Sequence, residues 1–463
     1  MKTERVSQVV LLAGAGAVLA GAVALFLTDG MTGLRGGGGG VPPAPGPAAR
    51  AAVAVRAGAP ASLPELTALI GDREAWLRDH PGDDASWAVL GGAYTERGVR
   101  TGDPAAYPKA ERALRRSLDA HPAAAGNVDA ALGMGALAHA RGDFAAARRW
   151  AEEARQRAPR RWRAQAVLVD AYRGLGDQTG AQQALARLRE MHTGTAALTR
   201  AAEVYRDRGW REDASAVAYD AVGRAATPAE KAACLGRLGE LAWERGEPEE
   251  ALRQYAAALA LAPRDAPALV GRARALAALD RADEAVRDYR AALALRPLPE
   301  YALEAGELYA ALGREAEAKA GYELLHARAA EAFGHGVDQS LVLARYEADH
   351  GTPLTAVAWL RAEWRRGHRS AEVADALGWA LLRAGRAREA LPYARLATEQ
   401  GRRSALFAYH RGEVERALGM TGEARRHLAE ALRTHPRFSP LHAPRARLAL
   451  EALGEPSSPP PRR

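Results

Sequence analysis

The chain has 463 residues, 48% of them hydrophobic, so apolar material is ample, and length alone would divide it into about three domains. Its formal charge of +8 is carried by arginine, because Lys2, Lys109, Lys231 and Lys319 are the only lysines among 64 basic residues. Arginine beside abundant alanine and glycine reflects a GC-rich coding bias, and with aromatics at 6% no basic cluster alternates with stacking residues, which excludes nucleic acid as the expected partner.

Residues 1–5 carry Lys2 and Arg5, and Val6 to Leu27 is an uncharged, almost wholly apolar run. As a helix it would span roughly 33 Å against about 30 Å of hydrocarbon. The charge bias of its flanks puts the N-terminus in the cytoplasm and everything after residue 27 outside the cell membrane. The expectation is therefore a single-pass transmembrane anchor at 6–27, the alternative being a cleaved signal peptide and a secreted chain. Residues 28–62, with glycine at 36–40 and Val-Pro-Pro-Ala-Pro-Gly-Pro after it, lack the composition for a core and read as a flexible linker. Leu63 to His80 predicts one helix, with Leu66, Ile70 and Leu77 on one face and Pro81 as its stop.

From Asp84 to Phe438 one small pattern recurs about ten times at a period near 34 residues. A small residue is followed by a turn residue and then an alanine, as in Gly239, Gly246 and Ala251 or Gly306, Gly313 and Ala318. Unit starts fall at Val128, Trp162, Thr195, Ala232, Ala266, Pro299, Val337, Ala371 and Ala405. Longer spacings are expected to be loop insertions, around Gly102–Tyr107, Thr227-Pro228 and Gly334-His335-Gly336. The turn glycines, among them Gly176, Gly209, Gly313 and Gly351, accept a left-handed cap, and Asp280 takes that role in one copy. Leu441 to Leu453 predicts a closing helix, and residues 455–463, rich in proline and serine, a disordered tail.

Trp87, Leu90, Gly91 and Tyr94 with the later Ala110 and Pro122 resemble the tetratricopeptide repeat family, in its membrane-anchored bacterial form, and every later unit repeats the register. The resemblance implies an all-α fold: a right-handed superhelical solenoid of about ten helix–turn–helix units over residues 63–454. It also implies a concave groove lined by the first helix of each unit, where a protein or peptide binds. The positions that face such a groove hold Arg163, Asp170, Arg173, Glu203, Arg206, Asp207, Glu240, Trp243, Glu244, Arg274, Glu300 and Glu307, with Trp379 and Tyr409 in the last units. Acids outnumber arginines there on a chain that is basic overall. Glu240, Trp243 and Glu244 share one helical face suited to an arginine- or lysine-bearing segment. The stretch Asp79-His80-Pro81-Gly82-Asp83-Asp84 before Trp87 is also similar to the start of the repeat domains in cytochrome c maturation assembly proteins.

Neither a catalytic motif nor a cofactor is expected: no nucleophile elbow, His-Glu-x-x-His helix, phosphate loop or dinucleotide fingerprint occurs. The twelve histidines lack zinc spacing, and His435 and His442 read as loop residues rather than ligands. Cys234, alone, rules out an internal disulfide and reads as a buried apolar residue. The sequence thus describes a non-enzymatic, membrane-anchored scaffold, the alternative being an assembly factor for c-type cytochromes or another envelope complex.

Overall fold

A capping Ser, Thr, Asp or Asn, or a proline in the first turn, opens about half of the helices, as at Ser62, Asp83, Asn127, Thr227 and Pro248, and alanine fills many of the buried contact positions. The computed structural model describes residues 46–57 and 61–454, and among these the regular structure is 23 α-helices and one short 3-10 turn, with no strand. Pro47–Ala57 (α1) and Leu63–Asp79 (α2) lead into ten hairpins. The first four are Asp84–Thr101 with Ala106–Ala120 (α3, α4), Val128–Ala140 with Phe144–Arg157 (α5, α6), Trp162–Leu175 with Gln178–Met191 (α7, α8), and Thr195–Asp207 with Arg211–Arg224 (α9, α10). Next come Pro228–Glu244 with Pro248–Leu261 (α11, α12), Ala266–Ala278 with Ala282–Leu295 (α13, α14), and Pro299–Ala311 with Glu315–Gly334 (α15, α16). The last are Ser340–Asp349 with Pro353–Arg365 (α17, α18), Ala371–Arg383 with Ala387–Glu399 (α19, α20), and Ala405–Ala417 with Thr421–Thr434 (α21, α22). His442–Ala452 (α23) closes the array.

The small positions pack as the repeat pattern requires. A Cβ on Gly91 would lie 2.5 Å from Leu114 Cγ, one on Gly306 2.5 Å from Tyr322, and one on Gly239 2.8 Å from Tyr255. Any side chain at these positions overpacks the hairpin, at about 1–3 kcal/mol. Asp143, Asp177 and Asp265 cap the helices that follow them through their carboxylates, and Asp280 is the one non-glycine residue with positive φ (62°) among the described residues. Gly351 is not left-handed; the chain turns there while Thr352 N donates to the Glu347 carboxylate (2.7 Å).

Contacts far apart in sequence show that the solenoid winds tightly enough for successive superhelical turns to touch. The loop after each early inner helix meets the start of the inner helix six hairpins later. Gly102 faces Arg296 and Leu298; Asp338 N donates to Arg141 O (2.9 Å); Arg369 N donates to Leu175 O (3.2 Å). Farther on, Gln178 Nε2 donates to Gln400 O (2.7 Å), Arg211 Nη2 to Arg403 O (2.8 Å), and Gly246 packs on Thr434 and His435. Arg437 Nη1 then reaches across to Ala278 O (2.7 Å) and to Asp280. These contacts form a continuous seam along the superhelix.

Several expectations need correction. The cell-membrane localisation is not upheld: residues 6–27, on which it rests, lie outside the described residues, and no described helix is long and apolar enough to cross a membrane. The apolar residues of the described helices are instead alanines and leucines buried between hairpins. Part of the linker is helical, with α1 packed on α2 and α3 through the fully buried Ala51 and with Arg50 paired to Glu65 (2.7 Å). The expected loop insertions lengthen helices instead: α3 has 18 residues and α16 has 20, and α11 starts at Pro228 because Thr227 caps it. The 79–91 stretch has a local explanation, since Asp83 caps α3 and accepts from Trp76 Nε1 (2.8 Å) while Trp87 Nε1 donates to Pro81 O (2.9 Å). The tail, 455–463, lies outside the described residues.

Candidate functional site

The inner helices α7, α9 and α11 bring most of the sequence-predicted residues together, but as one internal ion-pair network. Arg173 donates to Glu203 and, through Nε, to Asp207 (2.8 Å). Arg206 pairs with Asp207 (2.8 Å) and approaches Glu240 (3.6 Å) and Glu244 (3.9 Å). Arg237 binds Glu203 and Glu240, and Arg200 holds Asp170 (2.7 Å). Arg402, from the loop before α21 and one superhelical turn away, donates to Glu244 (2.6 Å) and to Glu372. Burial alone would push the Glu203 carboxyl up; Arg173, Arg237 and Arg206 outweigh it and hold it down at about 2. Asp207 is likewise held well below the usual carboxylate range, by Arg206 and Arg173 against burial. Glu240 and Glu244 therefore have their charge met by the chain's own arginines. Trp243 meets His435 edge-on at 4.3 Å across the seam.

The inner face of the later hairpins is different. Helices α13, α14, α15, α17, α19 and α21, the loop after α22 and the start of α23 line a groove of about 750 Å³, bordered by Trp243, Arg274, Glu300, Glu307 and Trp379 of the predicted set. Arg274 is engaged by Glu304 through two hydrogen bonds of 2.7 Å. Glu300 makes no close ion pair; burial pushes its carboxyl above its ordinary range, and the charges of Arg296 and Arg345 pull it part of the way back. Glu307 has only His350 Nε2 at 3.8 Å. Arg345, on the same groove, pairs with no carboxylate. Trp379 and Tyr409 are buried, at 5% and 2% exposure, so neither is a free aromatic surface; Trp379 borders the groove and Tyr409 packs beside it with ring centroids 5.7 Å apart.

The floor also contains residues that sequence reasoning passed over. His410 lies flat on Trp379 (centroids 4.1 Å, planes 16° apart) with Nδ1 3.0 Å from both oxygens of Asp375. His442 begins α23 rather than sitting in a loop, and its Nε2 is 3.4 Å from Asp349. A spacing of 30 residues could have signalled many of these contacts. It joins Arg173 to Glu203, Arg200 to Asp170, Arg274 to Glu304, Arg402 to Glu372 and Trp379 to Asp349, because neighbouring inner helices cross at those positions. Among the described residues no group of three or more His, Cys, Asp or Glu is arranged to hold a metal ion.

No protein-family model matches this chain, and no curated protein matches it either. Among solved structures it is similar to a tetratricopeptide repeat protein from Parabacteroides merdae ATCC 43184, at 17% identity over 56% of this chain and 99% of that one, TM-score 0.34. It is also similar to yeast Tom70, at 14% identity over 78% of this chain and 88% of that one, TM-score 0.36. A third is the human IFIT1 dimer with PPP-AAAA, at 14% identity over 76% and 82%, TM-score 0.45. The likeness is one of fold. The described chain is an all-α, tetratricopeptide-like helical solenoid.

Proposed function

We propose that this protein is a non-enzymatic scaffold that binds a segment of another protein in the groove between α13 and α23. One observation carries the reading. The earlier half of the inner face is neutralised by its own arginines, whereas the later half keeps an open volume and side chains the fold leaves unpaired. The size suits a few residues of an extended chain. Glu300 and Glu307 favour a basic segment, so the candidate contact residues become Glu300, Glu307 and Arg274 on the wall and Trp379 on the floor, with Tyr409 packed behind it. Asp170, Arg173, Glu203, Arg206, Asp207, Glu240 and Glu244 are assigned to holding the superhelix together.

The reading is tested by fluorescence anisotropy with a labelled nonapeptide of alternating glycine and arginine, beside its glycine–glutamate counterpart. The arginine probe is expected to bind, and Glu300→Gln with Glu307→Gln to weaken it about tenfold at low salt, one to two kcal/mol for two screened charges. Equal binding of both probes, or a double variant that binds like the native chain, would overturn it.

A further inference from the structure

The seam changes character where it reaches the groove. At Gly142, Gly176, Gly209 and Gly246, all left-handed with φ of 76–80°, main chain lies against main chain of the next superhelical turn. Asp338 N donates to Arg141 O and Arg369 N to Leu175 O; a Cβ on Gly209 would stand 2.3 Å from Gly401 O, and one on Gly246 2.4 Å from Thr434 O. At the following turn the left-handed residue is Asp280 (φ 62°), and there a side chain spans the gap. Arg437 Nη1 donates to Ala278 O (2.7 Å) and stands 2.5 Å from Asp280 Oδ2. Both ends of this bridge border the groove.

Arg437 belongs to the loop 436–441 between α22 and α23, which also gives Phe438 and Pro440 to the groove wall. The loop's other ties stay on its own side. Arg437 N donates to His435 Nδ1 (3.2 Å), Leu441 N and His442 N donate to Ser439 Oγ, and Arg447 Nη1 donates to Pro436 O (3.0 Å). Phe438 packs with the apolar cluster of the last hairpins. His435 and His442, both buried, fix the two ends, so the movable part is the loop between them. Among the described residues the Arg437 guanidinium is its polar tie to the α13–α14 side. That ion pair is exposed, 48% for Arg437 and 78% for Asp280, so it is weak and screened by salt. Glycine would suit the turn better, which leaves the bridge as the use of the carboxylate. We propose that the Asp280–Arg437 bridge is a gate. Closed, it holds the 436–441 loop to the α13–α14 turn across the mouth of the groove; open, it lets the loop swing away and admits the bound segment. This rests on the groove being the binding face.

The test uses the full chain and Asp280→Asn, which removes the charge and keeps a residue that tolerates the left-handed turn. The direction of its effect is diagnostic. Losing a negative charge at the rim weakens a cationic probe by simple attraction, whereas releasing a gate strengthens it, because the free chain is then open more of the time. The variant is expected to bind the labelled glycine–arginine nonapeptide about fivefold tighter than the native chain. Spin labels at Asp283→Cys and Pro440→Cys, both exposed, read the gate without any probe. Their distance should lengthen or broaden when Asp280→Asn is added, and in the native background at about 0.5 M salt. A distance that the variant leaves unchanged, or a variant that binds the probe no more tightly than the native chain, overturns the gate and leaves the groove reading intact. Binding of the arginine probe by neither chain removes both.

Discussion

Two glycines in equivalent turns offer a controlled test of the seam. Gly176 and Gly313 both end an inner helix in the left-handed region, with φ of 76° and 71°. Alanine at either position accepts strain of about 1–2 kcal/mol for a side chain in that conformation. Beyond that they differ. A Cβ on Gly313 meets nothing within 4 Å, whereas one on Gly176 would stand 2.3 Å from Arg369 O and 2.8 Å from Ser370 N, both backbone atoms of the next superhelical turn. Relieving that overlap means parting the seam locally. It costs about 1–3 kcal/mol of overpacking and about 1 kcal/mol for the Arg369 N–H to Leu175 O bond. Gly176→Ala should therefore destabilise its region by about 2–4 kcal/mol more than Gly313→Ala. Stacked repeats do not unfold in one step, so the difference is best read by native-state hydrogen exchange, residue by residue. The Arg369 amide should lose protection in Gly176→Ala and keep it in Gly313→Ala. Equal costs at the two sites, or an Arg369 amide equally protected in both variants, would refute the reasoning.

Three further outcomes follow from the buried charges and the cysteine. Glu203 is held down at about 2 in the folded chain against an ordinary 4.5, so its stabilising effect is complete above pH 4.5 and disappears as pH falls from there through about 2, on the order of 3 kcal/mol. Urea midpoints measured across that window should drop steeply, and less steeply for Glu203→Gln; identical slopes would count against the network. Arg402→Met removes the cation that binds both Glu244 and Glu372, leaving Glu244 only Arg206 at 3.9 Å, and should cost about 3 kcal/mol by denaturation, most of it recovered when both glutamates also become glutamine; a neutral single variant would contradict this. Cys234 is 2% exposed, and its thiol is pushed up to about 11 by burial and the nearby Glu230 charge, so it should react with a thiol reagent at pH 8 only after unfolding; prompt labelling of the native chain would refute that.

The periodic part of this fold was legible in the sequence because each hairpin is held by short-range contacts. Helices begin at Val128, Trp162, Thr195, Ala266, Pro299, Ala371 and Ala405, where the pattern puts them. It slipped at Ala232, where the Thr227 hydroxyl accepts from Glu230 N and starts the helix four residues early, and at Val337, where α16 runs on to Gly334 and delays the next helix to Ser340. The seam left no such trace. Gly176 and Gly313 look alike in sequence, and only the superhelical pitch decides which one meets another backbone. The candidate site suffered for the same reason: Glu244 looks available on its own helix, and its partner, Arg402, arrives from 158 residues away. The Asp375–His410 pair joins the neighbouring helices α19 and α21 at 35 residues, which the groove positions taken from the repeat pattern did not include.

The central claim, that consecutive superhelical turns are in contact, is tested most directly by a distance across the seam. Spin labels at Glu212→Cys and Arg403→Cys, both exposed and next to the Arg211–Arg403 hydrogen bond, would be measured by electron–electron double resonance, with the buried Cys234 out of reach of the label. A closed seam predicts a single short, narrow distance distribution. A long, broad one would mean an open solenoid whose turns do not meet, and would contradict the account.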